Sequence, residues 1–256
     1  MLKQIFIIIN RKTVIVTLLA VLSTYLCRRF DILAEFPMTL IATAVVFPIV
    51  FSINGAYKRR EMALTRYGSI KAHGQAIYFA ARDWIEDTDD TLLERTRTLL
   101  GDLLGACREL LARPVEELEQ NEVAVYTAFS KLSRFIKNDL RTRGMPSGEA
   151  SRCNQFLSKM IVAFEDAKHI YQYRTPRTLS AFSDFFVAVL PVAYGPYFAA
   201  ISTDFAPGLQ YVMPVLFTVI LVSLDNIQEH LENPYDQIGE DDIVINVEKF
   251  VGRLGD

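Results

Sequence analysis

The sequence predicts an all-α integral membrane protein: four transmembrane helices, with a cytoplasmic helical bundle inserted between the second and the third. Two observations carry that prediction. Four long windows hold no charged residue: 13–27, 36–57, 185–203 and 205–224, which are 15, 22, 19 and 20 residues long. A helix crossing the hydrocarbon core needs about 20 apolar residues. The rest of the chain is charged like a soluble helical protein, and its apolar residues recur at the helical period with no strand-like alternation. Averages conceal this pattern. The 256 residues are 51% apolar and 22% charged, near the usual values of about 45–50% and about 25% for a soluble domain. Because the charge is missing from four windows, a secreted or cytosolic enzyme is a poor fit.

The first window follows Lys3, Arg11 and Lys12, an arrangement shared with signal peptides. Tyr25-Leu26-Cys27-Arg28-Arg29 offers no small-residue cleavage site, so the window reads as a retained short span, extended by Ile5–Ile9. The second window opens at Phe36-Pro37, a proline position that suits a helix start, and its end is marked by Lys58-Arg59-Arg60. Leucine pairs at 92/93, 99/100, 103/104 and 110/111 fall on one helical stripe. Pro114 ends that helix or begins the next. Val125, Phe129, Leu132, Phe135, Ile136 and Leu140 repeat the pattern. Gly144-Met145-Pro146-Ser147-Gly148 breaks it, and another helix runs from about Glu149 to Tyr173. The third and fourth windows contain Pro191, Pro196 and Pro214, which spans tolerate when neighbours re-satisfy the freed carbonyls. Ser202-Thr203-Asp204-Phe205-Ala206-Pro207 joins them as a tight hairpin.

The domain plan is therefore 1–57 with the first two spans, 58–180 as the cytoplasmic bundle, 181–225 with the last two spans, and 226–256 as a tail. Residues 1–12 contribute three positive charges, and 57–180 holds 20 basic against 17 acidic residues. The tail from Asp225 has nine acids and two bases. Basic residues gather at span ends on the cytoplasmic side. Lys3, Arg11, Lys12, Lys58, Arg59, Arg60 and Arg66 place both termini and the bundle there, with Arg28 and Arg29 as the exception. The expected location is a multi-pass protein of the plasma or inner membrane.

No basic run is dense enough for a nucleic-acid footprint. Cys27, Cys107 and Cys153 make an odd set without a CxxC pair, so neither a disulfide framework nor a zinc cage is indicated. Motifs for acyl transfer, nucleotide binding and zinc hydrolysis are absent, and His73, His169 and His230 stand far apart. No catalytic residue is assigned, and the chain is not read as an enzyme. The second window holds the informative constellation. Thr43, Phe47, Phe51 and Asn54 share one helix face at i, i+4, i+8 and i+11. Two aromatics flanked by polar residues are unusual for a lipid-facing stripe. They fit either packing against another helix or a pore constriction that gates ions by dewetting.

From Phe36 to about Gly74 the sequence resembles the neck-forming region of bestrophin channels. Phe47-Pro48-Ile49-Val50-Phe51 is similar to the family's aromatic neck, and Asn54, Ala56-Tyr57, Arg59, Ala63 and Tyr67-Gly68 follow at the spacing of bacterial members. Thr175-Pro176 resembles the family's entry to its later membrane helices. Glu232-Asn233-Pro234-Tyr235 with following acids resembles its Asn-Pro-Phe and acidic cluster. Three departures stand out. A tryptophan pair is replaced by Arg60-Glu61, an apolar uppermost neck position is Thr43, and Asp236-Gln237-Ile238-Gly239 separates the motif from Glu240-Asp241-Asp242.

The resemblance implies a homopentamer in membrane lipid, with the second helix of each copy forming a neck for small ions. Thr43, Phe47, Phe51 and Asn54 would line it, and Lys58, Arg59 and Arg60 would lie at its exit, where their charge concentrates anions. Animal members conduct chloride and some bacterial ones prefer cations, so the lean is to chloride. An acidic partner on Arg59 or Arg60 would cancel it. No cofactor is required. Calcium is compatible with Glu240, Asp241 and Asp242, because it favours clustered carboxylate oxygens; a solvated acidic turn is the plain alternative. The competing reading is a non-conducting membrane-anchored scaffold or signalling protein, whose aromatic face would be covered by helices of the same subunit.

Overall fold

The computed structural model describes residues 8–201, 208–236 and 242–255, and every regular element among them is helical. In chain order these are α1 (Arg11–Arg29), α2 (Met38–Asp83), α3 (Asp90–Ala112), α4 (Leu118–Arg134), α5 (Ser147–Gln172), α6 (Arg177–Ala193), α7 (Gly195–Ala200), α8 (Leu209–Glu232) and α9 (Val247–Arg253). The chain divides into two compact units, Met1–Lys58 with Thr175–Glu232, and Arg59–Arg174 with Asn233–Asp256.

In the first unit α1 packs against α6, α7 and α8. Its start is fixed by a reciprocal cap. The Asn10 side chain accepts from the Thr13 amide at 3.1 Å, and the Asn10 amide donates to Thr13 Oγ1 at 3.3 Å. The core gathers Val16, Val45, Ile49, Val187, Leu190, Tyr194, Phe198, Leu221 and Val222. Phe36 lies against the rings of Tyr194 and Tyr197, and the Tyr194 hydroxyl donates to the Met38 carbonyl at 3.0 Å, which anchors the entry to α2. The third apolar window is two helices, α6 and α7, parted at Tyr194 by the Gly195-Pro196 pair.

Among the described residues, three helical stretches are long and apolar enough to cross a membrane: α2, the run Ser147–Ala200 that contains α6 and α7, and α8. α1 is not among them. Arg11 and Lys12 at one end and Arg28 and Arg29 at the other confine its uncharged part to 15 residues. The predicted hairpin 202–207, the extension before Ile8, and Glu240 and Asp241 lie outside the described residues.

The second unit is built on α3, whose leucine stripe is buried at Leu92, Leu100, Leu103, Leu104, Leu110 and Leu111. α3 packs on α4, α5 and α9. Asp89 caps α3 by accepting from the Leu92 amide at 2.8 Å. α4 runs into a π-helical turn, Phe135–Leu140, which turns Phe135, Ile136 and Leu140 all into the core. Gly144, at φ +95°, then reverses the chain before α5.

Candidate functional site

Within α2 the helical period separates two faces. Val45, Ile49, Ser52 and Ala56 are buried, Ile49 and Ala56 completely. The opposite face carries Thr43, Phe47, Phe51 and Asn54, all exposed, with Phe47 at 60% and Phe51 at 57%. The two phenylalanine rings meet edge to face at 4.7 Å between centroids, a favoured arrangement of aromatic quadrupoles. Thr43 Oγ1 donates to the Thr39 carbonyl one turn earlier at 2.7 Å. Pro48 sits inside α2. Within the first unit, no described helix covers this face.

The exposed residues of α1 and of part of α8 differ in kind. On α1, between its charged ends, they are Val14, Ile15, Leu18, Leu19, Leu22, Tyr25 and Leu26; on α8 from 212 to 220 they are Val212, Leu216 and Ile220. Such surfaces match hydrocarbon. The α2 face mixes aromatic rings with a hydroxyl and a carboxamide.

At the end of the apolar part of α2, Lys58 is exposed and Arg59 and Arg60 are half-buried. Arg60 Nη1 pairs with Glu61 Oε1 at 2.7 Å. α2 does not stop there but continues to Asp83. Ala63 and Tyr67 on this continuation are buried in the second unit, while Gly68 is exposed. The Tyr235 hydroxyl donates to the Ala63 carbonyl at 3.4 Å. The two segments that carried the family resemblance, one around Tyr67 and one at Asn233-Pro234-Tyr235, thus touch. Asn233 Oδ1 accepts from the Tyr235 amide at 3.4 Å, and the Pro234 carbonyl accepts from the Ile243 amide at 2.7 Å. Burial raises the Tyr235 hydroxyl above its ordinary range and pushes the neighbouring Cys107 thiol up to about 12. Both stay protonated at neutral pH.

One polar cluster was not legible in the sequence. Lys12 Nζ lies between Asp184 Oδ1 at 2.7 Å and Asp225 Oδ2 at 2.6 Å, and Ser183 Oγ donates to Asp225 Oδ1 at 2.7 Å. Asn226 adds hydrogen bonds to the Ile8 carbonyl and to Thr13 Oγ1, and accepts one from Asn10 Nδ2 at 3.0 Å. These bonds tie α1 to α6 and α8 at one end of the first unit. Asp184 remains largely exposed, whereas Asp225 is buried. Of the three acids weighed for calcium only Asp242 is described, and it is half-buried. Among the described residues no group of three or more His, Cys, Asp or Glu is placed to hold a metal ion. Cys27, Cys107 and Cys153 are free thiols.

No protein-family model matches the chain, and no curated protein matches its sequence. Solved structures do. A bacterial bestrophin homologue from Klebsiella pneumoniae matches with a TM-score of 0.72 at 12% identity, covering 95% of this chain and 96% of that one. A variant of that homologue with one substitution gives 0.75 at 17% identity over 95% and 97% of the two chains. A structure described as a membrane protein variant gives 0.76 at 14% identity over 96% and 97%. The chain has the fold of bacterial bestrophin homologues over nearly its whole length.

Proposed function

We propose that this chain is one subunit of a homopentameric, bestrophin-like ion channel in which α2 of each copy lines a narrow neck for small ions. The observation that carries the reading is the uncovered α2 face, with Thr43, Phe47, Phe51 and Asn54 on it and its opposite side packed into the subunit core. A scaffold with a self-covered aromatic face would have buried these rings. Stacked rings of Phe47 and Phe51 around an axis would strip an ion of part of its hydration, and small helix rotations would lower that barrier.

In this reading α1, α2, α6 with α7, and α8 are the four spans, and both termini and the helices α3 to α5 are cytoplasmic. At one of the proline sites the freed group has a partner: Pro196 removes the donor for the Val192 carbonyl, and Ser23 Oγ supplies one at 2.8 Å. The lean to chloride rested on Lys58, Arg59 and Arg60. The Arg60–Glu61 pair cancels one of those charges, so the proposal is an ion channel with no selectivity attached. Calcium at Glu240, Asp241 and Asp242 remains part of the reading only through the resemblance, and no step of conduction depends on it. No catalytic role is proposed.

Recording the purified protein in planar bilayers tests the channel. Wild type should conduct, and Phe47→Ala and Phe51→Ala should each raise the conductance or open probability by removing a ring. Silence of wild type and both variants would sink the reading.

A further inference from the structure

We infer that a cavity between the cytoplasmic part of α2 and α9 binds a small phosphate-bearing anion. The cavity has a volume of about 670 Å³, within the range of roughly 300–1,000 Å³ typical of small-molecule sites. Lys71 on α2 and Lys249 and Arg253 on α9 all line it, and no acidic residue does. None of the three has a carboxylate partner among the described residues. Cations nearby on the same or packed helices are paired: Arg66 with Asp166 at 3.0 Å, Arg82 with Asp83 at 2.6 Å, and Arg108 with Glu248 at 3.3 Å. Three like charges lining one concavity repel one another and raise the local concentration of anions.

The chemistry of the lining narrows the class of ligand. The side chain of Lys71 lies over the Tyr67 ring, with Nζ 4.3 Å from its centroid, which holds that cation in place. Gln75 and Asn246 add carboxamides. The Asn246 side-chain oxygen is already used, accepting from the Lys249 amide at 2.7 Å, so its amide hydrogens are what remain to offer. A polyatomic anion with several acceptor oxygens can engage cations from two helices at once through charge-assisted hydrogen bonds. A single halide has no such reach. Buried Tyr67 and Phe250 supply apolar surface beside the charges, which suits a phosphate ester with a compact apolar or aromatic body.

Titration calorimetry on the full chain in detergent tests this, with phenyl phosphate as probe, inorganic phosphate as the charged fragment and benzyl alcohol as the uncharged one. Phenyl phosphate should saturate one site per chain, inorganic phosphate should bind more weakly at the same site, and benzyl alcohol should give no saturable heat. Lys249→Ala and Arg253→Ala, both at exposed positions, should keep the wild-type melting temperature and weaken phenyl phosphate by roughly ten- to a hundredfold. Arg152→Ala, on an exposed side chain outside the cavity, should leave binding unchanged. Absence of saturable binding, or equal affinity in all three variants, overturns the proposal. So does stabilisation seen only in vesicles carrying anionic lipid beside phosphatidylcholine, which would make the cations a membrane-surface patch. Binding is read without current, so this test is independent of whether the chain conducts.

Discussion

At Gly195 there is no room for a β-carbon. An added Cβ would lie 2.3 Å from Ser23 Oγ and 3.0 Å from the Ser23 carbonyl carbon, so rotating the serine relieves only part of the clash and breaks its bond to the Val192 carbonyl. Gly195→Ala should therefore destabilise the protein by about 2–3 kcal/mol, and Ser23→Ala by about 1 kcal/mol. Thermal unfolding in detergent reads both. The double variant should recover only a fraction, because the backbone carbon still collides. Pro196 announced a freed carbonyl in the sequence, but its donor sits 169 residues away, and no local pattern points to it. Tyr235 makes a second case. It fills the second unit's core with its ring, while its hydroxyl bond to Ala63 is long at 3.4 Å. Tyr235→Ala should cost about 3–5 kcal/mol, in line with loss of a buried aromatic, and Tyr235→Phe less than about 1 kcal/mol. A large effect of the phenylalanine would mean that the hydroxyl, and not the ring, holds α2 to the tail.

Between α4 and α5 a single cation organises the interface. Lys168 Nζ reaches Glu122 Oε1 at 2.7 Å, Glu165 Oε2 at 2.6 Å and the Tyr126 hydroxyl at 2.9 Å. Lys168→Met leaves two partly buried carboxylates without it and should destabilise this unit by about 3 kcal/mol, the lower end for breaking a buried pair. The pH dependence follows from Glu122. Its carboxyl is held below the ordinary range by hydrogen bonds from Lys168 and Tyr126, so its contribution is complete above that range and disappears as pH falls through the lowered value. His73, lowered by burial, adds a loss as pH falls through the ordinary histidine value, equally in both proteins. Urea melts from about pH 6 to about pH 3 should show a steeper stability loss for wild type than for Lys168→Met, with the difference arising below the ordinary glutamate value; parallel curves would refute the assignment. At this scale the leucine and phenylalanine stripes made the helices readable, because burial follows the 3.6-residue period. The π-helical turn was not readable, since Phe135, Ile136 and Leu140 continue the same stripe and only packing decides that the turn widens. Nor did the sequence reveal that α2 runs on to Asp83: Lys58-Arg59-Arg60 marks the edge of an apolar stretch, and a cluster of bases does not end a helix.

For the molecule as a whole, the question is which surfaces the membrane covers and which meet another copy of the chain. Charge-free windows mark where the apolar segments lie, three of them in helical stretches long and apolar enough to cross a membrane, yet a helical stripe does not name its partner, and Lys12, Asp184 and Asp225 read separately as residues at window edges. The folded chain sorts these surfaces by composition: mostly aliphatic outer residues on α1 between its charged ends and on α8 from 212 to 220, against the mixed face of Thr43, Phe47, Phe51 and Asn54 on α2. If the mixed face surrounds an aqueous axis, a thiol placed on it forms thiolate and reacts with a charged, water-soluble thiol reagent, whereas a thiol in hydrocarbon stays protonated and inert. Cys107 and Cys153 are buried, so replacing half-buried Cys27 by serine gives a quiet background. In vesicles, Phe51→Cys should then be modified and its current fall, while Ile220→Cys should stay unmodified and its current unchanged. Mass measured in detergent should be five times that of the chain. Equal silence at the two positions would turn the α2 face towards lipid, and a monomeric or dimeric mass would leave too few helices to close a neck around the two phenylalanines.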